Sequence, residues 1–180
     1  MSDAAVYAFS KATLTGLGLS EAEIQFVDTV CRHETSYSTG WPLGAGAGSN
    51  NWGAITATVD QPHFDHVDTH ADGTKFVSHF KIYPSPFHGL VDAAHEILKH
   101  PGVKESLARG DGAGAVEAMH RGHYFEASVA SYLEAMKRNY PLLVHGAGIQ
   151  PAINFDGGAG GSIGPLLLLG LLVFATKKAS

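Results

Sequence analysis

The chain has 180 residues, 44% of them apolar and 16% charged, which is enough for one compact domain plus an appendage and too little for two catalytic domains. A formal charge of −5, from 12 Lys and Arg against 17 Asp and Glu, offers no basic stripe for a phosphate backbone and argues against nucleic acid as a partner. The single Cys31 excludes an intramolecular disulfide framework and a Cys-rich zinc module, and the opening MSDAAVYAFSKATLTG lacks the marks of a secretory signal.

Ser20 followed by Glu23 reads as a capping box, and it predicts a helix whose apolar positions Ile24, Val27 and Cys31 recur at helical spacing. About fifty residues of different character come next. Trp52–Val59 and Thr74–Tyr83 read as strands, Asp72-Gly73 as the turn before the second, and the His- and Asp-rich stretch between them as a loop. Ser85-Pro86 then starts a helix carrying Leu90, Val91, Ala94, Ile97 and Leu98, which stops before Pro101. Shorter helices are expected at Val103–Arg109 and Ala113–Arg121, each followed by a Gly suited to a left-handed cap, and a last one at Val129–Asn139, ended by Pro141.

These elements amount to a mainly α (α+β) domain over residues 1–145. Residues 146–164 are Gly-rich and almost uncharged, the composition of a flexible linker. Residues 165–180 are expected to form a short apolar helix closed by Lys177 and Lys178. The apolar run from Ile163 to Ala175 would be about 20 Å long as a helix, against a bilayer core of about 30 Å, so it is a marginal membrane anchor. A helix packed on a partner protein is the other reading of this tail.

Seven residues beyond Val27 the same stripe reaches Glu34, a carboxyl on a face that should be buried. Burial and the negative end of the helix dipole both disfavour its charged form, and a carboxyl kept protonated near neutral pH is what a general acid needs. A purely structural Glu34, paired with Arg32 or Arg121 to seal the helix end, is the competing reading. Three other chemistries are weaker. Asp60, His63, Asp65, His66, Asp68, His70 and His79 are dense in potential metal ligands, but in a loop, without a helical two-His pair, they do not make a zinc hydrolase; His95 and His100 are about 140° apart around a helix. No metal or cofactor is expected. Cys31 lies on the core stripe and diverges from His33, against a thiol peptidase, and Gly44–Gly48 follows no strand and ends in no Lys, against a phosphate loop.

Four segments in register resemble glycoside hydrolase family 73, the N-acetylglucosaminidase branch of the lysozyme-like fold: His33-Glu34-Thr35-Ser36-Tyr37, Ser49-Asn50-Asn51-Trp52-Gly53-Ala54-Ile55, Phe80-Lys81-Ile82-Tyr83-Pro84-Ser85, and Gly122-His123-Tyr124-Phe125 with Tyr132. Their order and spacing are kept across residues 21–140. Lys81 stands where the family usually has Arg, and His123 opens the Gly-Tyr pair. The resemblance implies a lysozyme-like helical domain with a small β lobe and a groove between the lobes. It makes Glu34 the general acid and Tyr124 the aromatic hydroxyl near the cleaved sugar, with Tyr37, Ser49, Asn51, Trp52 and Tyr83 as groove residues. It puts the second carboxylate at Asp68, with Asp65 and Asp72 as rivals.

The implied function is a peptidoglycan hydrolase, cleaving β-1,4 bonds between amino sugars of the glycan strand. A lytic transglycosylase using Glu34 alone, and a binding or structural module without turnover, are the alternatives. A wall substrate, no secretory signal and an apolar tail together suggest an enzyme carried on a phage particle, in contact with its membrane or a virion protein; a bacterial tail-anchored protein is the second choice.

Overall fold

The computed structural model describes residues 3–35, 48–69 and 72–156. In chain order these form helices α1 (Asp3–Gly16) and α2 (Glu21–Thr35), strands β1 (His63–Thr69) and β2 (Lys75–Lys81), and helices α3 (Pro86–Leu98), α4 (Val103–Leu107), α5 (Gly112–Arg121) and α6 (Val129–Ala147). Tyr37, His70 and the apolar tail lie outside the described residues. Among those described, no helix is long and apolar enough to cross a membrane.

Helix α2 is the axis of the domain and packs on α1, α3, α4 and α6. The expected capping box forms at its start: the Ser20 amide and hydroxyl both donate to Glu23 Oε2 at 2.8 Å, and the Glu23 amide donates back to Ser20 Oγ at 3.3 Å. An unbroken run from Ile24 to Cys31 is buried, so the helix is enclosed on all sides rather than along one stripe. Enclosure takes polar side chains inward with the apolar ones. Gln25 is fully satisfied there: its Nε2 donates to Glu21 Oε1 (3.0 Å) and the Gln150 carbonyl (2.9 Å), and its Oε1 accepts from Tyr140 Oη (2.6 Å) and the Ala152 amide (2.9 Å). Asp28 is not. Its carboxyl and the Ser10 hydroxyl are buried with no partner in hydrogen-bond geometry, and desolvation drives the carboxyl well above its ordinary range.

Several boundaries differ from the sequence expectation. Helix α1, absent from the sequence expectation, stops at a left-handed Gly18 (φ 81°), with the Leu19 amide donating to the Leu14 carbonyl at 3.2 Å. It is held by burial of Val6, Tyr7 and Leu14. The stretch from His63 to Thr69, expected as a loop, is strand β1, antiparallel to β2 with Phe64 opposite Phe80 and Asp68 opposite Phe76. Trp52–Val59 is instead mostly irregular, with one bridge from Thr56 to Phe80. The left-handed residue after α5 is His123 (φ 60°), not Gly122, whose hydrogen leaves room for the His100 ring.

Pro141 does not end the last helix. Continuing α6 past a proline costs about 3 kcal/mol, and burial of Tyr140, Leu143 and Val144, at about 1.5–3 kcal/mol each, exceeds it. The helix stops at Gly148, in the left-handed conformation (φ 64°). The domain therefore does not close at His145. Residues 149–156 run back over it: Ile153 and Phe155 are buried, the Asn154 amide donates to the Gly110 carbonyl (2.8 Å), and the Gly112 amide donates to the Asn154 carbonyl (2.7 Å). What composition marked as the start of a linker is the last layer of the core.

Candidate active site

Glu34 sits in the last turn of α2, half-buried, and accepts a 2.8 Å hydrogen bond from Tyr132 Oη on α6. Burial raises its carboxyl above the ordinary range, and the Tyr132 hydroxyl, which favours the charged form, offsets this only in part. Among the described residues no Arg or Lys pairs with it, so the helix-sealing salt bridge is not formed. Tyr132 is itself clamped, stacked on Phe125 at 3.8 Å between centroids and met edge-on by His33 at 4.8 Å. The family resemblance included Tyr132 and assigned it no task. Its hydroxyl is the group that addresses the carboxyl.

Tyr124 lies beside this pair. Its hydroxyl is pushed up well above the normal tyrosine range by burial first and the neighbouring Glu34 charge second, and it donates to the Gly53 carbonyl at 3.2 Å. A side chain on Gly53 would meet the Tyr124 hydroxyl at 3.3 Å and Ala93 at 3.1 Å. The approach depends on the glycine.

The loop carrying Gly53 is fixed from several directions. Thr35 Oγ1 donates to the Trp52 carbonyl (3.1 Å), fastening it under the end of α2. Asn51 folds inward: its Oδ1 accepts from the Ile55 amide (2.8 Å) and its Nδ2 donates to the carbonyls of Ile55 (2.9 Å) and Lys81 (3.2 Å). The Ser49 carbonyl accepts from the Tyr83 amide at 2.8 Å. Asn50 and Ala54 adopt positive φ (56° and 50°), and a Cβ on Gly89 of α3 would overlap the Asn50 carbonyl.

Three of the five expected groove residues are buried. Trp52 is 1% exposed and stacks on Phe9 at 6.0 Å, Asn51 is fully buried and Ser49 nearly so. Their contacts are within the protein and hold the loop that carries Gly53. Tyr83 does border open space. It lines a cavity of about 570 Å³ between the end of β2 and α3, together with Lys81, Phe87, His88, Asp92 and His95, while its hydroxyl and Lys81 Nζ both bind Asp92. Glu34 is not part of that lining. Tyr37 falls outside the described residues.

The hairpin separates the three Asp candidates. Alternation puts Asp68 on the face of the buried Phe64 and Phe80, where Ser78 Oγ donates to it at 3.0 Å. Asp65 is on the opposite face, and Asp72 is in the exposed turn, accepting from the Thr74 amide at 2.9 Å. The Cys31 thiol is fully buried and driven well up by desolvation, so it is a core side chain.

Among the described residues, six helices with α2 enclosed among them, a two-stranded lobe and a half-buried carboxyl at the end of α2 make this a mainly α domain of the lysozyme-like class. No family model matches the sequence, and no curated protein sequence matches it. Solved structures do match the fold. A peptidoglycan hydrolase from Sphingomonas sp. A1 superposes with a TM-score of 0.54 over 81% of this chain and 91% of its own, at 16% identity. The glycoside hydrolase domain of FlgJ from Salmonella typhimurium gives 0.51 over 79% of this chain and 84% of its own, at 14% identity.

Proposed function

We propose that this protein cleaves the glycan strand of peptidoglycan, with Glu34 as the general acid that protonates the departing glycosidic oxygen. The observation that carries the reading is the Glu34 carboxyl itself. It is raised by burial, paired with no cation among the described residues, and addressed by one tyrosine hydroxyl, in a fold whose solved neighbours are a peptidoglycan hydrolase and a glycoside hydrolase domain. Asp68 is the second carboxylate of this proposal, because it lies on the inner face of the hairpin and its rivals do not. Tyr124 is the aromatic residue beside the cleaved bond.

A single-carboxylate reaction, in which Glu34 protonates the leaving oxygen and then takes a proton from an attacking sugar hydroxyl, is the second reading and needs no carboxylate but Glu34. Delivery of the enzyme on a phage particle, with the apolar tail as its membrane tether, belongs to the same proposal and rests on sequence alone. The test is digestion of purified peptidoglycan by the parent and by Glu34→Gln, with the products read by mass spectrometry. The parent releases muropeptides ending in reducing sugars, or in anhydro sugars if the single-carboxylate reaction operates. The Glu34→Gln variant loses about 10²–10⁴-fold in rate. Parent protein that binds the polymer and releases nothing would make the domain a binding module.

A further inference from the structure

We infer that the outer face of the β-hairpin is a binding site for one borderline divalent transition cation, Zn²⁺ being the probe, held by His63, Asp65 and His79. The pleat creates it. His63 and Asp65 are two apart on β1 and share a face, and Asp65 is directly opposite His79 on β2, so three ligand side chains converge from two strands. Their nearest donor atoms all lie within 4.8 Å of one another. His79 Nδ1 is 2.7 Å from Asp65 Oδ1, and His63 Nε2 is 3.7 Å from the same oxygen. Ligands on a tetrahedral zinc with bonds near 2.0 Å stand about 3.3 Å apart, so the two spacings straddle what the ion requires, and small rotations of exposed side chains close the set.

The surrounding contacts orient the three side chains. His63 Nδ1 is 2.8 Å from the Gln61 carbonyl, an acceptor, so that nitrogen carries the proton. That leaves Nε2 as the ring atom turned toward the Asp65 carboxylate, on the side where the ion would sit. An outer carbonyl that fixes the tautomer of a ligating imidazole is the usual support of a metal-bound His. Lys81, the cross-strand partner of His63, does not oppose the ion, since Asp92 holds its ammonium at 2.8 Å. Two imidazoles and one carboxylate are a donor set for zinc and similar ions, not for calcium or magnesium.

The site serves as a staple. A two-stranded hairpin alone is marginally stable, and this one has exposed Val67 opposite exposed Val77 just beyond the cluster. An ion bridging β1 to β2 fixes the register on which the inward direction of Asp68 depends. That last consequence rests on the proposed function; the metal site does not, and its test does not use activity.

The experiment titrates Zn²⁺ into the full chain by calorimetry and follows amide hydrogen exchange of residues 63–81. The expected result is one ion per chain at this site, binding weakened about tenfold or more in His63→Gln, His79→Gln and Asp65→Asn, and zinc-slowed exchange of the hairpin in the parent but not in His79→Gln. His66→Gln, an imidazole on the opposite face, should bind as the parent does. Absence of saturable binding, binding that survives the three substitutions, an equal loss in His66→Gln, or bound zinc that leaves hairpin exchange unchanged would each overturn the inference.

Discussion

Cutting the chain after His145, where composition alone would end the domain, should unfold it or nearly so. That cut removes Ile153 and Phe155, both buried, whose transfer from water is worth about 1.5–3 kcal/mol each. It also takes the Gln150 carbonyl and the Ala152 amide from Gln25, leaving two buried amide atoms short of partners at a further cost of about 1–3 kcal/mol. Together these approach about 4–9 kcal/mol, against a total stability of about 5–15 kcal/mol for an ordinary domain. In a domain of this size each kcal/mol moves Tm by about 2–4 °C, so a chain ending at His145 should melt about 10 °C or more below one ending at Asp156. Circular dichroism melts of the two chains make the comparison. Phe155→Ala in the longer chain should fall between them, at a cost of about 3–5 kcal/mol. Melting temperatures within about 2 °C would refute the argument and restore residues 146–156 to the linker.

Three further outcomes test the site and its support. Tyr132→Phe removes a donor that favours charged Glu34, so the carboxyl rises further and the alkaline limb of kcat/KM against pH should move to higher pH; movement to lower pH would contradict the role given to the hydroxyl. Asp68→Asn should slow glycan cleavage about a hundredfold while Asp72→Asn, in the exposed turn, stays within a few-fold of the parent; parental rates in both would favour the single-carboxylate reaction. Asp28→Asn should stabilise the protein at pH 7 and not at pH 4. The folded state holds the Asp28 proton while the unfolded carboxyl ionises near its ordinary 3.8, so stability associated with this group is intact below that pH and is lost as pH rises above it. Equal changes in Tm at the two pH values would show that the carboxyl is not the cause.

The local signals in the sequence were reliable where chemistry is local. The Ser20 and Glu23 capping box, the Ser85-Pro86 start and the Asp72-Gly73 turn need only neighbouring residues to act, and all three form. Glu34 was legible because a carboxyl on an apolar stripe is conspicuous whatever packs against it. Tertiary balance was not legible. Pro141 reads as a stop until the burial of Leu143 and Val144 is known, and Gly146 reads as a linker until Ile153 and Phe155 find the core. Ser49, Asn51 and Trp52 had the opposite fault: an aromatic and an amide look the same in sequence whether they face solvent or, as these do, turn into the protein to hold a loop. Strand β1 was hidden by composition, since four His and Asp residues within six positions read as a solvated loop until β2 gives them a register.

The Gln25 amide sets a schedule for the molecule. Its partners at 150 and 152 are made 125 and 127 positions after it. At a synthesis rate of about 5–20 residues per second, the interval is about 6–25 s. Throughout it, two of the four hydrogen bonds that the Gln25 side chain makes in the folded domain are left to water, since Glu21 and Tyr140 supply only the other two. Completion of the core around α2 therefore waits for residues 149–156, which run back over the domain and bury Ile153 and Phe155.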